Sequence, residues 1–126
     1  MKEKIELEYP INCSPQVLFP RLSTPSGLSE WFADNVNLKG NVFTFIWEGF
    51  EQQAELIGKK TNKYVRFRWV EEEDHKAFFE FRIKKDDLTG DVSLFIIDFA
   101  DNGEKEDSVE LWDSQISELK RKMGLL

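Results

Sequence analysis

Cysteine and histidine each occur once in this sequence, as Cys13 and His75. One cysteine excludes an internal disulfide framework and fits a reducing compartment. One histidine leaves a metal site or a catalytic dyad with Cys13 poorly founded. Cys13 closes a strand-like segment, and His75 sits in an acidic loop where exposure to solvent is expected. Basic residues are outnumbered, 17 Lys and Arg against 24 Asp and Glu, for a formal charge of −7. That balance opposes general binding to nucleic acid or to anionic membrane. No run approaches the ~20 apolar residues of a membrane span. Met1 to Glu8 alternates charged and aliphatic residues without the apolar core of a secretory signal, so the cytoplasm is the expected location. A glycine-rich phosphate loop, a nucleophile motif, repeats and linkers are all missing. The acidic run Glu71 to Asp74 lacks calcium-loop spacing. No cofactor or metal is implied, enzyme chemistry has no sequence support, and residues 1–126 read as one domain.

Aromatic side chains are plentiful: eleven Phe and four Trp predict a bulky core in which any gap is wide and apolar. The last twenty residues, Asp107 to Leu126, read as one amphipathic helix. Val109, Trp112, Ile116, Leu119 and Met123 recur at steps of three and four and so share one stripe. Asp107 and Glu110 have the spacing of a capping box. Lys120, Arg121 and Lys122 suit the negative end of the dipole, and Gly124 suits a left-handed cap. At 1.5 Å per residue the helix would run roughly 24 Å, about five strand spacings, enough to cross a sheet.

Most of the remaining chain reads as that sheet. Ile5, Leu7, Tyr9 and Ile11 alternate with polar neighbours. Ser14-Pro15 starts a short helix with Val17, Leu18 and Leu22 on its apolar side, which Pro20 is expected to distort. A second short helix is expected through Leu28, Trp31 and Phe32. Strands follow at Val42 to Glu48, around Gln53 to Ile57, at Tyr64 to Val70, at Lys76 to Lys84 and at Asp91 to Ala100. The last of these is apolar on both faces, as in a strand inside a sheet. Turns are expected at Gly40-Asn41, Glu48-Gly49 and Gly58 to Lys63. This order predicts an α+β, helix-grip architecture: a curved antiparallel sheet of about seven strands, two short helices at one end, and a long C-terminal helix packed across it.

Ser14-Pro15, Val17, Leu22, Pro25, Leu28, Trp31 and Phe32, with Gly103, Trp112, Ile116 and Leu119 near the other end, resemble the START-like superfamily, also called SRPBCC or birch-pollen-allergen-like. The spacing is most similar to the activator-of-heat-shock-protein-ATPase-like branch. Pro20 and the stretch from Phe50 to Lys63 depart from that pattern. The resemblance implies a cavity between the concave sheet face and the closing helix. Trp31, Phe45, Trp47, Phe67, Trp69, Phe79, Phe81, Ile96, Asp98, Trp112 and Ile116 are the residues expected to face it.

Two outcomes stay open from sequence: aromatic walls around a ligand, or aromatics packed on one another with no room left. Asp98 is in phase with Leu94 and Ile96 and would be a polar anchor or general base if inward. The Asp101-Asn102-Gly103 turn close behind it favours the opposite orientation, toward solvent. Arg66, Arg68 and Arg82 are expected on the convex face, paired with Glu80 and other acids. The expected function is non-catalytic binding of a small hydrophobic or amphipathic molecule. The alternatives are a co-chaperone-like protein-interaction module and a cyclase- or hydratase-type enzyme.

Overall fold

Alternating apolar and polar residues put one wet and one dry face on nearly every strand, and the protein builds a single seven-stranded antiparallel sheet from them. The computed structural model describes residues 2–126; Met1 lies outside the described residues. In chain order the elements are β1 (Lys2–Pro10), α1 (Pro15–Ser23), α2 (Pro25–Leu28), β2 (Asn35–Lys39), β3 (Val42–Trp47), β4 (Phe50–Lys60), β5 (Tyr64–Trp69), β6 (Phe79–Lys85), β7 (Val92–Asp101) and α3 (Lys105–Lys122). The strand order is β1-β7-β6-β5-β4-β3-β2. Every hairpin neighbour is therefore also a sheet neighbour, and β1 closes the far side by pairing with β7. β7, apolar on both faces, lies between β1 and β6 as its composition requires.

Register places the bulky residues in rows. Leu7 is opposite Ile96, Ile96 opposite Phe81, and Phe81 opposite Val65. Phe67 is opposite Phe79. Phe43, Phe45, Phe67, Phe79 and Phe81 are at most 1% exposed. Burying each such ring contributes about 1.5–3 kcal/mol. Their rings meet edge-on or offset at centroid separations of 5.0 to 6.3 Å.

The helical cover is divided. α3 lies over β1 and β7, α1 over β5 and β6, and α2 against β2. The long helix comes closest to β1 and β7, and its side chains reach further across the sheet, with Trp112 meeting Phe81 of β6 at 5.8 Å. Trp112, Ile116 and Leu119 are buried beneath it, while Val109 and Met123 are only half-buried. Its start differs from expectation: the helix begins at Lys105, two residues before Asp107, and its N-cap Glu104 makes no side-chain capping bond. Asp107 thus sits in the first turn as a dipole-compatible acid instead of a cap. The C-terminal end follows expectation. Gly124 has φ +74°, its N–H donates to the Arg121 carbonyl and the Leu125 N–H to that of Lys120, the two bonds of a Schellman cap.

At the other end, Ser14 caps α1 through Oγ to the Val17 N–H at 3.2 Å. α1 continues through Pro20 to Ser23. At its exit the Thr24 N–H and hydroxyl both donate to the Pro20 carbonyl. Val17 points outward at 53% exposure, and Phe19 takes the buried position beside Leu18 and Leu22. α2 stops at Leu28, so Trp31 and Phe32 lie in the turn that follows. Gly27 is needed where α2 meets α1: a Cβ there would lie 2.1 Å from the Pro20 carbonyl oxygen. β4 is longer than its alternation suggests, with a register shift between Leu56 and Gly58 that carries it on to Lys60.

Candidate functional site

β3 and β5 end, and β4 begins, at the same end of the sheet, where a gap separates them from α3. Trp47 and Trp69 are the last residues of β3 and β5, and Phe50 and Gln52 open β4. Facing them from the N-terminal half of α3 are Ser108, Leu111, Trp112 and Gln115. Phe32 and Asp98 lie between, and together these residues enclose a cleft of about 330 Å³. This is at the small end of ligand sites, ~300–1,000 Å³.

The walls are held by indole N–H groups. Trp47 donates to the Phe32 carbonyl at 2.9 Å, and Trp112 donates to Asp98 Oδ2 at 2.9 Å. Trp47 also stacks on Phe50 at 5.4 Å, and Phe32 stacks on Trp112 at 5.9 Å. These contacts fix ring orientation, so the cleft is pre-formed. Phe50 and Leu111, 58% and 60% exposed, form an apolar rim. Trp69 makes no indole hydrogen bond among the described residues.

Asp98 faces inward, contrary to the orientation favoured by the following turn. β7 remains regular through Asp101, with Ile5 opposite Asp98, so the carboxylate stays in phase with Ile96. Its Oδ1 accepts from the Phe99 N–H at 2.8 Å. Burial pushes its carboxyl above the usual carboxylate range, and the Trp112 and Phe99 donors offset this only in part.

The sequence-predicted site residues divide into two groups. Trp47, Trp69, Asp98 and Trp112 come together at the cleft. Phe45, Phe67, Phe79, Phe81, Ile96 and Ile116 pack in the closed core behind it. Trp31 is also buried there and donates its indole N–H to the Arg21 carbonyl at 2.8 Å. Phe32, Phe50, Gln52, Ser108, Leu111 and Gln115 were not among the expected residues. A signal for several exists: Phe50 and Gln52 are cross-strand partners of Trp47 and Phe45, and Ser108 and Gln115 lie four before and three after Trp112.

The remaining candidates have structural roles. Glu80 is fully buried on the convex face, bonded to Arg66 at 2.7 Å and Arg82 at 2.9 Å. Those guanidiniums lie over the Phe78 and Tyr64 rings. Arg68 donates to the carbonyls of Asp74 and His75, which orders the acidic loop. His75 is exposed. Burial raises the Cys13 thiol, with Arg21 opposing. Among the described residues no group of three or more His, Cys, Asp or Glu is placed to hold a metal ion, and no helix is long and apolar enough to cross a membrane. A larger groove of about 810 Å³ lies at the opposite end, near Ile11, Cys13, Lys85, Lys120 and Leu126. It has no aromatic lining.

An antiparallel sheet gripped by a C-terminal helix, with a cleft between them, defines an α+β domain of the helix-grip class. The chain belongs to the START-like superfamily, whose domain model matches residues 1–125. It is 40% identical to BfR322 from Bacteroides fragilis, solved in solution, with 99% of this chain and 93% of that one covered and a TM-score of 0.69. It shares its fold with the Aha1 dimer from Colwellia psychrerythraea, at 15% identity, 94% and 93% coverage and a TM-score of 0.78. It likewise shares it with MLL2253 from Mesorhizobium loti, at 16% identity, 97% coverage of each chain and a TM-score of 0.79. Among curated proteins none matches this sequence.

Proposed function

We propose that this START-like domain binds a small hydrophobic or amphipathic molecule in the cleft between α3 and the ends of β3, β4 and β5, without transforming it. The observation that carries this is the cleft of about 330 Å³ walled by Trp47, Trp69, Trp112, Phe32 and Phe50. Flat rings with few rotors lose little entropy on binding, and two of the three indoles at the cleft, those of Trp47 and Trp112, already have fixed N–H partners.

A cyclase or hydratase needs an inward ionisable group, and Asp98 supplies one. The other polar residues at the cleft, Gln52, Ser108 and Gln115, do not titrate near neutrality, so the lining contains no acid and base pair. Binding is therefore preferred over catalysis. A protein-interaction role, as in the co-chaperone branch that the sequence resembles, is favoured by one feature. Phe50 and Leu111 expose large apolar side chains on the same rim. We place the reaction-free cytoplasmic carrier or sensor first because that rim surrounds a concavity.

Native mass spectrometry of protein purified from cells, joined to a thermal-shift screen of small apolar compounds, tests the proposal. A co-purifying molecule or a shift lost in Trp69→Ala is expected. No binder in either experiment, together with a stable protein partner captured through Phe50 and Leu111, rejects it in favour of the interaction module.

A further inference from the structure

The cleft has one charged lining residue, and it is acidic. Asp98 is the only Asp, Glu, Lys or Arg among the ten residues that enclose it. Both carboxylate oxygens accept hydrogen bonds, from the Trp112 indole and the Phe99 backbone, but both donors are neutral. Lys2, on the adjoining strand, is near enough to favour the ionised form of Asp98, but its ion pairs are with Glu72 at 2.9 Å and Asp101 at 3.7 Å. A largely buried carboxylate without a direct ion pair is costly, and a positive group arriving in the cleft would relieve that cost.

The surroundings match such a group. Trp47, Trp69 and Trp112 with Phe32 and Phe50 present ring faces or edges to one small space, and ring faces attract cations. The first turn of α3, at the mouth, carries Glu106 and Asp107, which add negative potential on approach. No lining side chain is cationic, so a carboxylate, phosphate or sulfate would meet only the neutral donors of Gln52, Ser108 and Gln115 and the repulsion of Asp98. A volume of about 330 Å³ holds a single ring system or a short chain, not a two-chain lipid.

From this juxtaposition, and resting on the ligand-binding reading above, we propose that the cleft selects organic ammonium compounds. The apolar body would lie between Trp47, Trp69 and Phe50, and the ammonium would reach the Asp98 carboxylate beside Trp112.

Three probes of similar shape and different charge test this by titration of tryptophan fluorescence: 2-phenylethylammonium, 2-phenylethanol and 3-phenylpropionate. The ammonium is expected to bind about tenfold more tightly than the alcohol, the order of a charge-assisted contact plus cation–π attraction, and the carboxylate more weakly than either. Asp98→Asn keeps an oxygen acceptor for Trp112. It should abolish the preference, so that on this variant the ammonium binds no more tightly than the alcohol. An unaltered unfolding transition and far-UV spectrum would certify its fold. Equal affinities for the three probes, tighter binding of 3-phenylpropionate, or an ammonium preference that survives Asp98→Asn would overturn the charge selection and leave the cleft a ligand site. No binding by any of the three removes the cleft reading itself, and the selection with it.

Discussion

Phe45 and Trp47 sit two residues apart on the same face of β3, as do Phe67 and Trp69 on β5. Phe45 and Phe67 are fully buried, whereas both tryptophans are only half-buried. Strand, face and residue class are shared, so the difference comes from what lies above. The phenylalanines are roofed by Phe32 and by the rings of neighbouring strands, with Phe32 meeting Phe45 at 5.0 Å and Phe67 meeting Phe79 at 5.0 Å. The tryptophans share some of these neighbours, Phe32 meeting Trp47 at 5.7 Å and Phe79 meeting Trp69 at 4.8 Å, but their other sides border the open cleft beneath Ser108, Leu111 and Gln115 of α3. One aromatic interior is thus a packed core at one end and the wall of an open cleft at the other. The two sequence-level outcomes, filled core and open cavity, are both realised a few ångströms apart.

Truncating side chains on either side of that boundary is the strongest way to break the comparison. Trp112→Ala should cost about 3–5 kcal/mol in denaturant unfolding, because a ring only 6% exposed is lost and Asp98 loses its indole donor. Phe81→Ala, deep in the closed end, should cost a similar ~3–5 kcal/mol, whereas Trp69→Ala should cost about 1–2 kcal/mol because its ring already borders open space. Equal losses at Phe81 and Trp69 would erase the distinction. Gly27→Ala should cost about 1–3 kcal/mol or more by forcing α2 off α1, with the loss read as a lower melting temperature.

The buried carboxylate sharpens the comparison through pH. Its native carboxyl titrates above its unfolded value, chiefly through desolvation. The native state therefore keeps this proton at pH values where the unfolded chain has released it. The associated stability is greatest below the ordinary carboxylate range and falls as pH rises through the native value. Asp98→Asn should match the parent in acid and become the more stable of the two toward neutrality. Urea midpoints measured across that range check this, and a parent that gains on the variant as pH rises would contradict it. The smallest stability effect belongs to the rim. Phe50→Ser and Leu111→Ser should change unfolding free energy by no more than about 0.5 kcal/mol while weakening probe binding.

The architecture was legible because period and composition agreed along the chain. Alternation in β1, β3, β5 and β6, the doubly apolar β7 and the stripe from Trp112 to Leu119 each specified an element and its buried side. The cap at Asp107 was misplaced because helix start chemistry is local, while the true start is set by the Asp101–Gly103 turn, where Gly103 has φ +85°. Val17 and Phe19 exchanged roles because the phase of a nine-residue helix is poorly fixed by three apolar positions. The site was legible in kind more than in detail. Trp47, Trp69, Asp98 and Trp112 line the cleft, and all four are among the residues that the START-like resemblance places at a cavity. Phe50, Gln52 and Leu111 depend on cross-strand register and on where α3 stops covering the sheet, and neither is encoded in a local pattern. Asp98 shows the same limit: the nearby turn suggested solvent, but pairing with β1 holds β7 straight past it.

Four indole N–H resonances give the most direct test, since the tryptophans sample both sides of the boundary. In a proton–nitrogen correlation spectrum, adding 2-phenylethylammonium should displace the signals of Trp47, Trp69 and Trp112 and leave that of Trp31, bonded to the Arg21 carbonyl within the closed end, where it was. A spectrum in which Trp31 moves with the others, or in which Trp31 alone moves, would mean that the division between packed core and open cleft is drawn in the wrong place.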